Sequence, residues 1–308
     1  MRDLVVKDNA LINASYNLDL VEQRLILLAI VEARESGKGI NANDPLEVHA
    51  DSYINQFSVH RNTAYQALKD ACKDLFARQF SYQEKKANGN IRNVMSRWVS
   101  QIAYNDNEAT VDLIFAPAVV PFITRLEEQF TKYELQQVSS LSSAYAIRLY
   151  ELLIQWRSTG KTPIIELQEF RKKLGVLDDE YLRMAHLKER VLELSIKQIN
   201  EHTDISVKYE QHKKGRSISG FSFIFKQKKS ATQSVGSKRD PNTLDLFSTM
   251  TDKQRHLFAS KLSELPEMSK YSQGTESYQQ FAVRIADMLQ DTEKFRELIP
   301  LLKKVGFQ

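Results

Sequence analysis

The sequence predicts an α+β fold, with two tandem winged-helix domains and a small helical C-terminal region. The main observation is internal repetition: a short helix, a turn, a longer amphipathic helix and a β-hairpin occur twice within 308 residues. A second observation is that each hairpin carries two adjacent lysines at its turn. The hydrophobic content of 42% is sufficient for more than one core.

The first repeat opens with a helix that is apolar on nearly all sides. Asp19 and Glu22 have the spacing of a capping box, and the apolar run from Leu25 to Val31 follows them. Alternating residues over 46–50 then predict a short strand. The sequence therefore predicts a largely buried first helix.

A helix-turn-helix follows in the first repeat. A short helix over 51–57 and a turn at 58–60 lead into a longer helix that starts near Arg61. One face of the longer helix is apolar at spacings of three and four, with Ala64, Leu68, Ala71, Cys72, Leu75 and Phe76. This pattern predicts that the opposite face is exposed.

A hairpin completes the first winged helix. Residues 80–83 have strand composition, and the Asn- and Gly-containing segment 84–90 is typical of a turn. Residues 91–104 and 110–115 are predicted to continue the sheet. The two lysines lie in the turn of the first hairpin, so that turn is predicted to be the wing.

The chain between the repeats is predicted to be helical. Residues 122–137 and 144–156 have helical patterns and are separated by the serine-rich joint 139–143. The domain boundary is placed at this joint. The predicted domains are a first winged helix over 1–138, a second winged helix over 139–228, a flexible linker over 229–247 and a helical region over 248–308.

The second repeat has the same order of elements as the first. It consists of a short strand over 162–166, a short helix over 167–174, a long amphipathic helix over 183–201, and strands over 205–211 and 217–226. The predicted core positions of the long helix are Leu187, Val191, Leu194 and Ile199.

Positive charge is concentrated in the second repeat. The whole chain has a net charge of only +4. Between Arg183 and Lys229, however, there are eleven lysines and arginines against five aspartates and glutamates. Clustered positive charge favours a polyanionic partner, because neutralised phosphates release condensed counterions. The alternative interpretation is an ordinary solvated helix face.

The longer helix of each repeat is predicted to enter the major groove of double-stranded DNA, which admits one α-helix. Arginine, asparagine and glutamine reach base edges there, and lysines bind phosphates. The candidate DNA-binding residues of the first repeat are Arg61, Asn62, Gln66, Lys69, Lys73, Lys85 and Lys86. Those of the second repeat are Arg183, His186, Lys188, Arg190, Lys197, Lys213, Lys214 and Arg216.

The sequence predicts neither an enzyme nor a metal or cofactor site. The six histidines lack the spacings of a metal-dependent nickase and of H-E-x-x-H, and no Walker A pattern occurs. Tyr65 and Tyr150 could serve as nucleophiles, but each lies on an apolar helical face and is expected to be core. The single cysteine, Cys72, excludes an intramolecular disulfide. Without a long apolar run, the chain is expected to be cytoplasmic and to have no membrane partner.

The second repeat resembles the second DNA-binding domain of iteron-binding plasmid replication initiators of the RepE and RepA type. The matching residues are Tyr181–Met184, Lys188, Arg190, Ile199–Glu201, Tyr209–Glu210, Lys213–Arg216 and Phe221–Phe223. Residues 19–30 and 64–69 similarly match the first domain of that family. The resemblance covers about residues 10–226.

This resemblance implies a function. Members bind direct repeats (iterons) in double-stranded origin DNA as monomers and open the origin, and they bind inverted repeats as dimers and repress their own gene. It also implies a host replication initiator and helicase as partners, and no bond-making chemistry. A dimeric winged-helix transcription repressor without an initiator role is the alternative.

The resemblance also implies roles for individual residues. The base-contacting arginine of the family falls on Arg183, and the basic cluster that follows falls on Lys188 and Arg190. Glu189 departs from that cluster, which leaves the identity of the contacted base step open, since an acidic side chain favours cytosine. The first winged helix would serve dimerisation and DNA binding, and the second iteron binding.

Overall fold

The computed structural model describes residues 3–86, 88–124, 130–228, 252–271, 278–289, 292–305 and 307. The chain forms two compact units, Met1–Thr232 and Gln233–Gln308. Each unit has a hydrophobic core of its own. The predicted linker over 229–247 lies outside the described residues.

The N-terminal unit contains both winged helices. Its first half consists of β1 (Leu4–Asp8), α1 (Asn9–Asn13), β2 (Ser15–Tyr16), α2 (Leu20–Ser36), β3 (Leu46–His49), α3 (Ala50–Phe57), α4 (Arg61–Ala77), β4 (Gln79–Lys85), β5 (Ile91–Arg97), β6 (Val99–Asn105) and β7 (Thr110–Phe115). Its second half consists of α5 (Val120–Thr124), β8 (Phe130–Glu134), α6 (Gln136–Ser139), α7 (Ala144–Ile154), β9 (Ile165–Glu166), α8 (Leu167–Leu174), α9 (Met184–His186), a π-helical segment (Leu187–Glu193), α10 (Leu194–His202), β10 (Ile205–Lys214) and β11 (Ser217–Gln227).

Helix α2 is the buried centre of the first winged helix, as its composition predicts. Its N-terminus has the predicted capping box: the Asp19 carboxylate accepts a hydrogen bond from the Glu22 amide (2.7 Å), and the Glu22 carboxylate accepts one from the Asp19 amide (2.6 Å). The Glu22 carboxylate also accepts a hydrogen bond from Arg78 Nε at 2.8 Å. Because Arg78 directly follows α4, this contact fixes the end of α4 against the start of α2.

The wing of the first winged helix is not the hairpin that the sequence indicates. Strand β3 pairs with β7, and β7 pairs with β6, so the hairpin that completes the helix-turn-helix is β6–β7. The lysine-tipped β4–β5 hairpin belongs to a separate sheet in the order β2-β4-β5. The predicted continuous strand over 91–104 is therefore wrong. It breaks at Trp98, a fully buried side chain that packs edge-on against Tyr16.

The predicted helix over 122–137 is also wrong, since Phe130–Glu134 forms β8. This strand pairs antiparallel with β1, with Val5 opposite Tyr133. Thr131 and Tyr133 alternate inward and are buried, which is the period of a strand. The partner strand lies more than a hundred residues earlier in the chain, so local sequence does not reveal the pairing.

A buried ionic network connects the N-terminal strand to the second half of the unit. Lys7 Nζ lies 2.7 Å from Glu151 Oε1, and Arg148 Nη1 lies 3.2 Å from Glu151 Oε2. The Tyr133 hydroxyl donates to the same carboxylate at 2.6 Å. Burial alone would raise the pKa of Glu151, but the charges of Lys7 and Arg148 outweigh it and hold that pKa below its ordinary value.

The second winged helix consists of a sheet in the order β10-β11-β9, α8 and the helical residues 184–202. Helix α8 ends at Gly175 in a left-handed conformation (φ 79°). A side chain at this position would place its Cβ 2.3 Å from the Tyr16 carbonyl oxygen, so only glycine permits this approach of α8 to β2. The first winged helix therefore packs directly against the second.

The helical residues 184–202 form one continuous element, here called the second recognition helix, with a π-helical segment in its middle. In that segment the i→i+5 hydrogen bonds place more residues in each turn than an α-helix has. Leu187, Val191 and Ile199 are buried as predicted. Leu194 is 42% exposed and the prediction for it is wrong, because the π segment rotates the following residues and Ser195 takes the inward position.

One residue of the apolar face predicted for α4 is also exposed. Ala64, Leu68, Ala71, Cys72 and Leu75 are buried, but Phe76 is 47% exposed. Its ring is covered from outside by the Arg97 guanidinium, whose carbon lies 5.7 Å from the ring centroid. Phe76 therefore packs under a cation of the neighbouring strand and not in the core.

The C-terminal unit is helical, as its sequence pattern predicts. It consists of α11 (Asp252–Ser263), a 3-10 helix (Pro266–Tyr271), α12 (Tyr278–Met288) and α13 (Thr292–Lys304). Its buried core contains Leu262, Phe281, Ile285 and Leu298. No helix in the described part of the chain combines the length and the apolar character needed to cross a membrane.

Candidate nucleic-acid interface

The two winged helices offer two helices of the kind that enters a DNA groove. These are α4, here called the first recognition helix, and the second recognition helix over 184–202. Each follows a short helix and a turn, and each has one face packed on the core and one face in solvent. The charge on the solvent face differs greatly between them.

The turn before the second recognition helix is held rigidly by one buried guanidinium. Arg171 donates hydrogen bonds to the carbonyl oxygens of Leu177 (2.9 Å), Glu180 (2.6 Å) and Tyr181 (3.2 Å). The Glu180 carboxylate accepts from the Leu177 amide at 2.9 Å. Tyr181 has φ 44°, a left-handed conformation that is uncommon for a residue with a large side chain. Strain of this kind is found where the surrounding structure fixes a functional segment.

The solvent face of the second recognition helix carries basic side chains that form few ion pairs. Within the described residues, Arg183, His186, Arg190 and Lys197 form no ion pair. Arg183 is the N-cap residue of α9, so its side chain lies at the positive end of the helix dipole. Lys188 differs from the others, since its Nζ lies 3.9 Å from Glu193 and 6.0 Å from the centroid of the Tyr209 ring.

The β10–β11 hairpin adds a second group of cations. Lys213, Lys214 and Arg216 are exposed around Gly215, which has φ 65° in the turn. None of the three forms an ion pair with any residue that the structure describes. The register of the hairpin shifts between His212 and Lys213, so the tip twists away from the regular sheet. The helix face and the hairpin tip thus both carry cations that form no ion pair with described residues, Lys188 excepted.

The first recognition helix has acidic partners for its charged candidates. Arg61 Nη2 lies 2.9 Å from Asp51, on the preceding helix α3. Lys69 pairs with Asp106 in the turn of the β6–β7 hairpin, and this contact raises the pKa of Lys69. These carboxylates reduce the positive field that phosphates would meet.

Further contacts on the same helix engage Asp70. Its carboxylate accepts a hydrogen bond from Gln66 at 3.1 Å and lies 3.8 Å from Lys73 Nζ. Asn62 is exposed on the same solvent face. The interaction of Gln66 with Asp70 has the i,i+4 spacing that helices favour, so the sequence contained a signal for it.

Lys85 and Lys86 lie on the β4–β5 hairpin and not on the wing of the first winged helix. Both are exposed, and the neighbouring Arg92 pairs with Glu84 across the two strands. The turn that occupies the wing position, residues 106–109, contains Asp106 and Glu108. The wing of the first winged helix is therefore acidic, and the prediction of a basic wing is wrong.

The structure also locates the residues considered for catalysis. Tyr150 is fully buried, and its hydroxyl donates to Asp204 at 2.9 Å. Burial raises its pKa well above the ordinary value, so this hydroxyl is structural. Tyr65 is half-buried against the core. Across the described residues, no group of three or more His, Cys, Asp or Glu side chains is arranged to hold a metal ion.

Comparison with protein families identifies the two winged helices. The model of the WH1 domain of the initiator replication protein matches residues 4–154, and the model of the WH2 domain of the initiator Rep protein matches residues 166–225. This chain belongs to the Rep family of replication initiator proteins. The predicted family resemblance and the predicted pair of winged helices in an α+β fold are thereby confirmed.

Two individual proteins are similar to parts of this chain. A replication initiation protein of Escherichia coli is 25% identical over 222 residues, which are 70% of this chain and 67% of that protein. The WH1 domain of MSBI1.176, a replication protein isolated from a multiple sclerosis patient, is 80% identical, with coverage of 42% of this chain and 98% of that domain and a TM-score of 0.34.

A solved initiator shares the fold of the Rep chain. The Pi initiator protein, crystallised in complex with iteron DNA, is 24% identical, with coverage of 73% of this chain and 97% of that chain and a TM-score of 0.59. This likeness shows the same fold.

Proposed function

We propose that this Rep protein acts in the cytoplasm as a plasmid replication initiator that binds iterons in double-stranded origin DNA. It helps to open the origin and recruits the host replication initiator and helicase, without bond-making chemistry of its own. As a dimer in equilibrium with the monomer, it binds inverted repeats and represses its own gene. No cofactor takes part in these steps.

One observation carries the proposal: Arg183, Arg190, Lys197 and the three cations of the β10–β11 tip form no ion pairs with described residues. Arg183 at the start of the helix is suited to a base edge, and Lys213 and Lys214 at the hairpin tip are suited to phosphates. The Pi initiator, which has the same fold, was crystallised with iteron DNA. The contrast with the charge-paired α4 supports a larger share of base recognition for the second recognition helix.

Exposed apolar side chains on the β4–β5 hairpin support the proposed dimer. Strand β5 lies at the edge of the β2-β4-β5 sheet, and Ile91 and Met95 are exposed on it. An edge strand with unpaired backbone groups and apolar side chains is a template for pairing with another chain. This surface lies on the first winged helix, which leaves the second free to bind DNA in either state.

Footprinting on DNA from the plasmid that carries this gene tests the function. The purified full-length chain should protect direct repeats, and permanganate should detect unpaired thymines beside them. A chain that protects only an inverted pair and melts no DNA would be a repressor. A chain that protects no duplex at all would overturn both functions.

A further inference from the structure

An apolar side chain lies in solvent at the start of the second recognition helix. Leu182 is 77% exposed, the largest exposure among the large hydrophobic side chains of the described residues. It directly precedes Arg183, the N-cap of the second recognition helix. Both side chains line one open groove, with Asp179, Glu180, Tyr181, His186 and Arg190.

The exposure of Leu182 is imposed by the backbone around it. Tyr181 is held in a left-handed conformation, and its carbonyl oxygen accepts a hydrogen bond from Arg171. The Tyr181 ring meets the Tyr145 ring edge-on, with centroids 6.1 Å apart. On the other side Arg183 already has the extended geometry of an N-cap (φ −80°, ψ 125°). Leu182 therefore cannot turn inward to the core without disrupting the whole turn.

The neighbours of Leu182 determine what can cover it. The groove holds two arginines, Arg183 and Arg190, and two acidic residues, Asp179 and Glu180. The two arginines form no ion pairs with described residues, so their side of the groove is open to an anionic partner. The major groove of DNA offers such a surface, and its base edges carry one apolar group, the C5-methyl group of thymine. An apolar side chain beside an arginine therefore matches a thymine that lies beside the base bound by that arginine.

We propose that Leu182 packs against the methyl group of a thymine adjacent to the base contacted by Arg183. This inference rests on the proposed function, since it specifies how the second recognition helix distinguishes one base pair of its site. Arginine supplies hydrogen bonds to one base, and leucine supplies an apolar contact to the next. Leu182 would then be a specificity-determining residue.

Replacement of single thymines by deoxyuridine tests the proposal, because the two bases differ only by the methyl group. A duplex site is first selected from random DNA with the wild-type chain. Each thymine of that site is then replaced in turn, and the Kd is measured at fixed salt. We expect one position to weaken binding by about fourfold, the effect of one buried methyl group. Replacing that thymine by deoxyuridine should not change the Kd of the Leu182→Ala variant.

Leu177→Ala is the matched control. Leu177 is an exposed leucine of the same turn, but it does not line the groove beside Arg183. This variant should retain the full deoxyuridine effect of the wild type. Circular dichroism shows whether each variant is folded. Because Leu182 is exposed, its loss should leave the fold intact.

The outcomes separate this inference from the proposed function. Tight, sequence-selective binding with no sensitivity to deoxyuridine at any position, or with equal sensitivity in Leu182→Ala, would overturn the thymine contact and leave the function standing. Selection that recovers no duplex would overturn the function and the contact together.

Discussion

Individual side chains of the second winged helix should differ in what they contribute to binding. Arg183→Ala is expected to lose about 1–3 kcal/mol of binding free energy on the selected site and little on random duplex, because an arginine that contacts a base edge contributes to specificity. Arg61→Ala is the matched control, since Arg61 also starts a recognition helix but is paired with Asp51. Titration of both variants on both duplexes measures the difference. If Arg183→Ala loses the same binding free energy on both duplexes, Arg183 contacts a phosphate and not a base.

The hairpin tip should contribute to affinity without contributing to specificity. Lys213→Ala is expected to weaken binding to every duplex and to reduce the slope of log K against log salt by about one, because one phosphate contact is lost. Lys226, exposed at the other end of the same hairpin, provides the control Lys226→Ala. Binding measured over a range of salt concentrations gives both slopes. If the slope of log K against log salt is unchanged in Lys213→Ala, Lys213 at the hairpin tip does not contact the DNA.

At the scale of elements, the acidic wing of the first winged helix should limit the contribution of α4. Asp106→Asn is expected to release Lys69 and to raise the affinity for all duplexes, with a salt slope steeper by about one. Glu108→Gln removes the same unit of negative charge from the same turn without releasing a lysine. The two variants are compared by titration over a range of salt. If they change the slope equally, the Lys69–Asp106 pair has no specific effect.

The elements that the sequence predicts well are those that local residues determine. The capping box at Asp19, the helix-turn-helix of each repeat and the short helix α8 all follow from periodicity and capping within a few residues. Strand pairing is not local. The pairing of β1 with β8 and the separate sheet of the β4–β5 hairpin depend on partners that the chain brings together only when folded.

In the candidate site too, local sequence does not reveal contacts between residues that are distant in the chain. The candidate basic residues of the second repeat lie on one helix and at one hairpin tip, and local sequence is enough to place them on those elements. The pairing of Lys69 with Asp106 depends on the β6–β7 turn and could not be seen in sequence. The exposed position of Leu194 follows from the π-helical segment, which a fixed helical period does not allow for. The contribution of each candidate residue to DNA binding remains a prediction.

For the whole molecule, the buried network around Glu151 should stabilise the N-terminal unit. Glu151→Ala leaves Lys7 and Arg148 buried without their carboxylate, and it is expected to lower the free energy of unfolding by about 3–5 kcal/mol. Glu35→Gln, on an exposed part of α2, is the control. Urea unfolding followed by tryptophan fluorescence reports on the N-terminal unit, which contains both tryptophans, Trp98 and Trp156. A loss no larger than that of the control would contradict a structural role.

The network also predicts a dependence on pH. Because the pKa of Glu151 in the folded state lies below the ordinary value of 4.5, its contribution to stability is complete above that value. The contribution is lost as the pH falls through the depressed pKa of the folded state. The wild type should therefore approach the stability of Glu151→Gln on acidification, as measured by urea unfolding at several pH values. If the free energies of unfolding of the wild type and Glu151→Gln differ by the same amount down to the lowest pH, the predicted role of the Glu151 charge is wrong.

A structure of the chain bound to its selected duplex would show directly which helix binds the bases. Residues 184–202 should lie in a major groove, with Arg183 on a base edge and Lys213 and Lys214 on phosphates beside it. Helix α4 should make fewer base contacts than the second recognition helix. A complex in which the helix over 184–202 faces away from the duplex, or in which α4 makes most of the base contacts, would contradict the account.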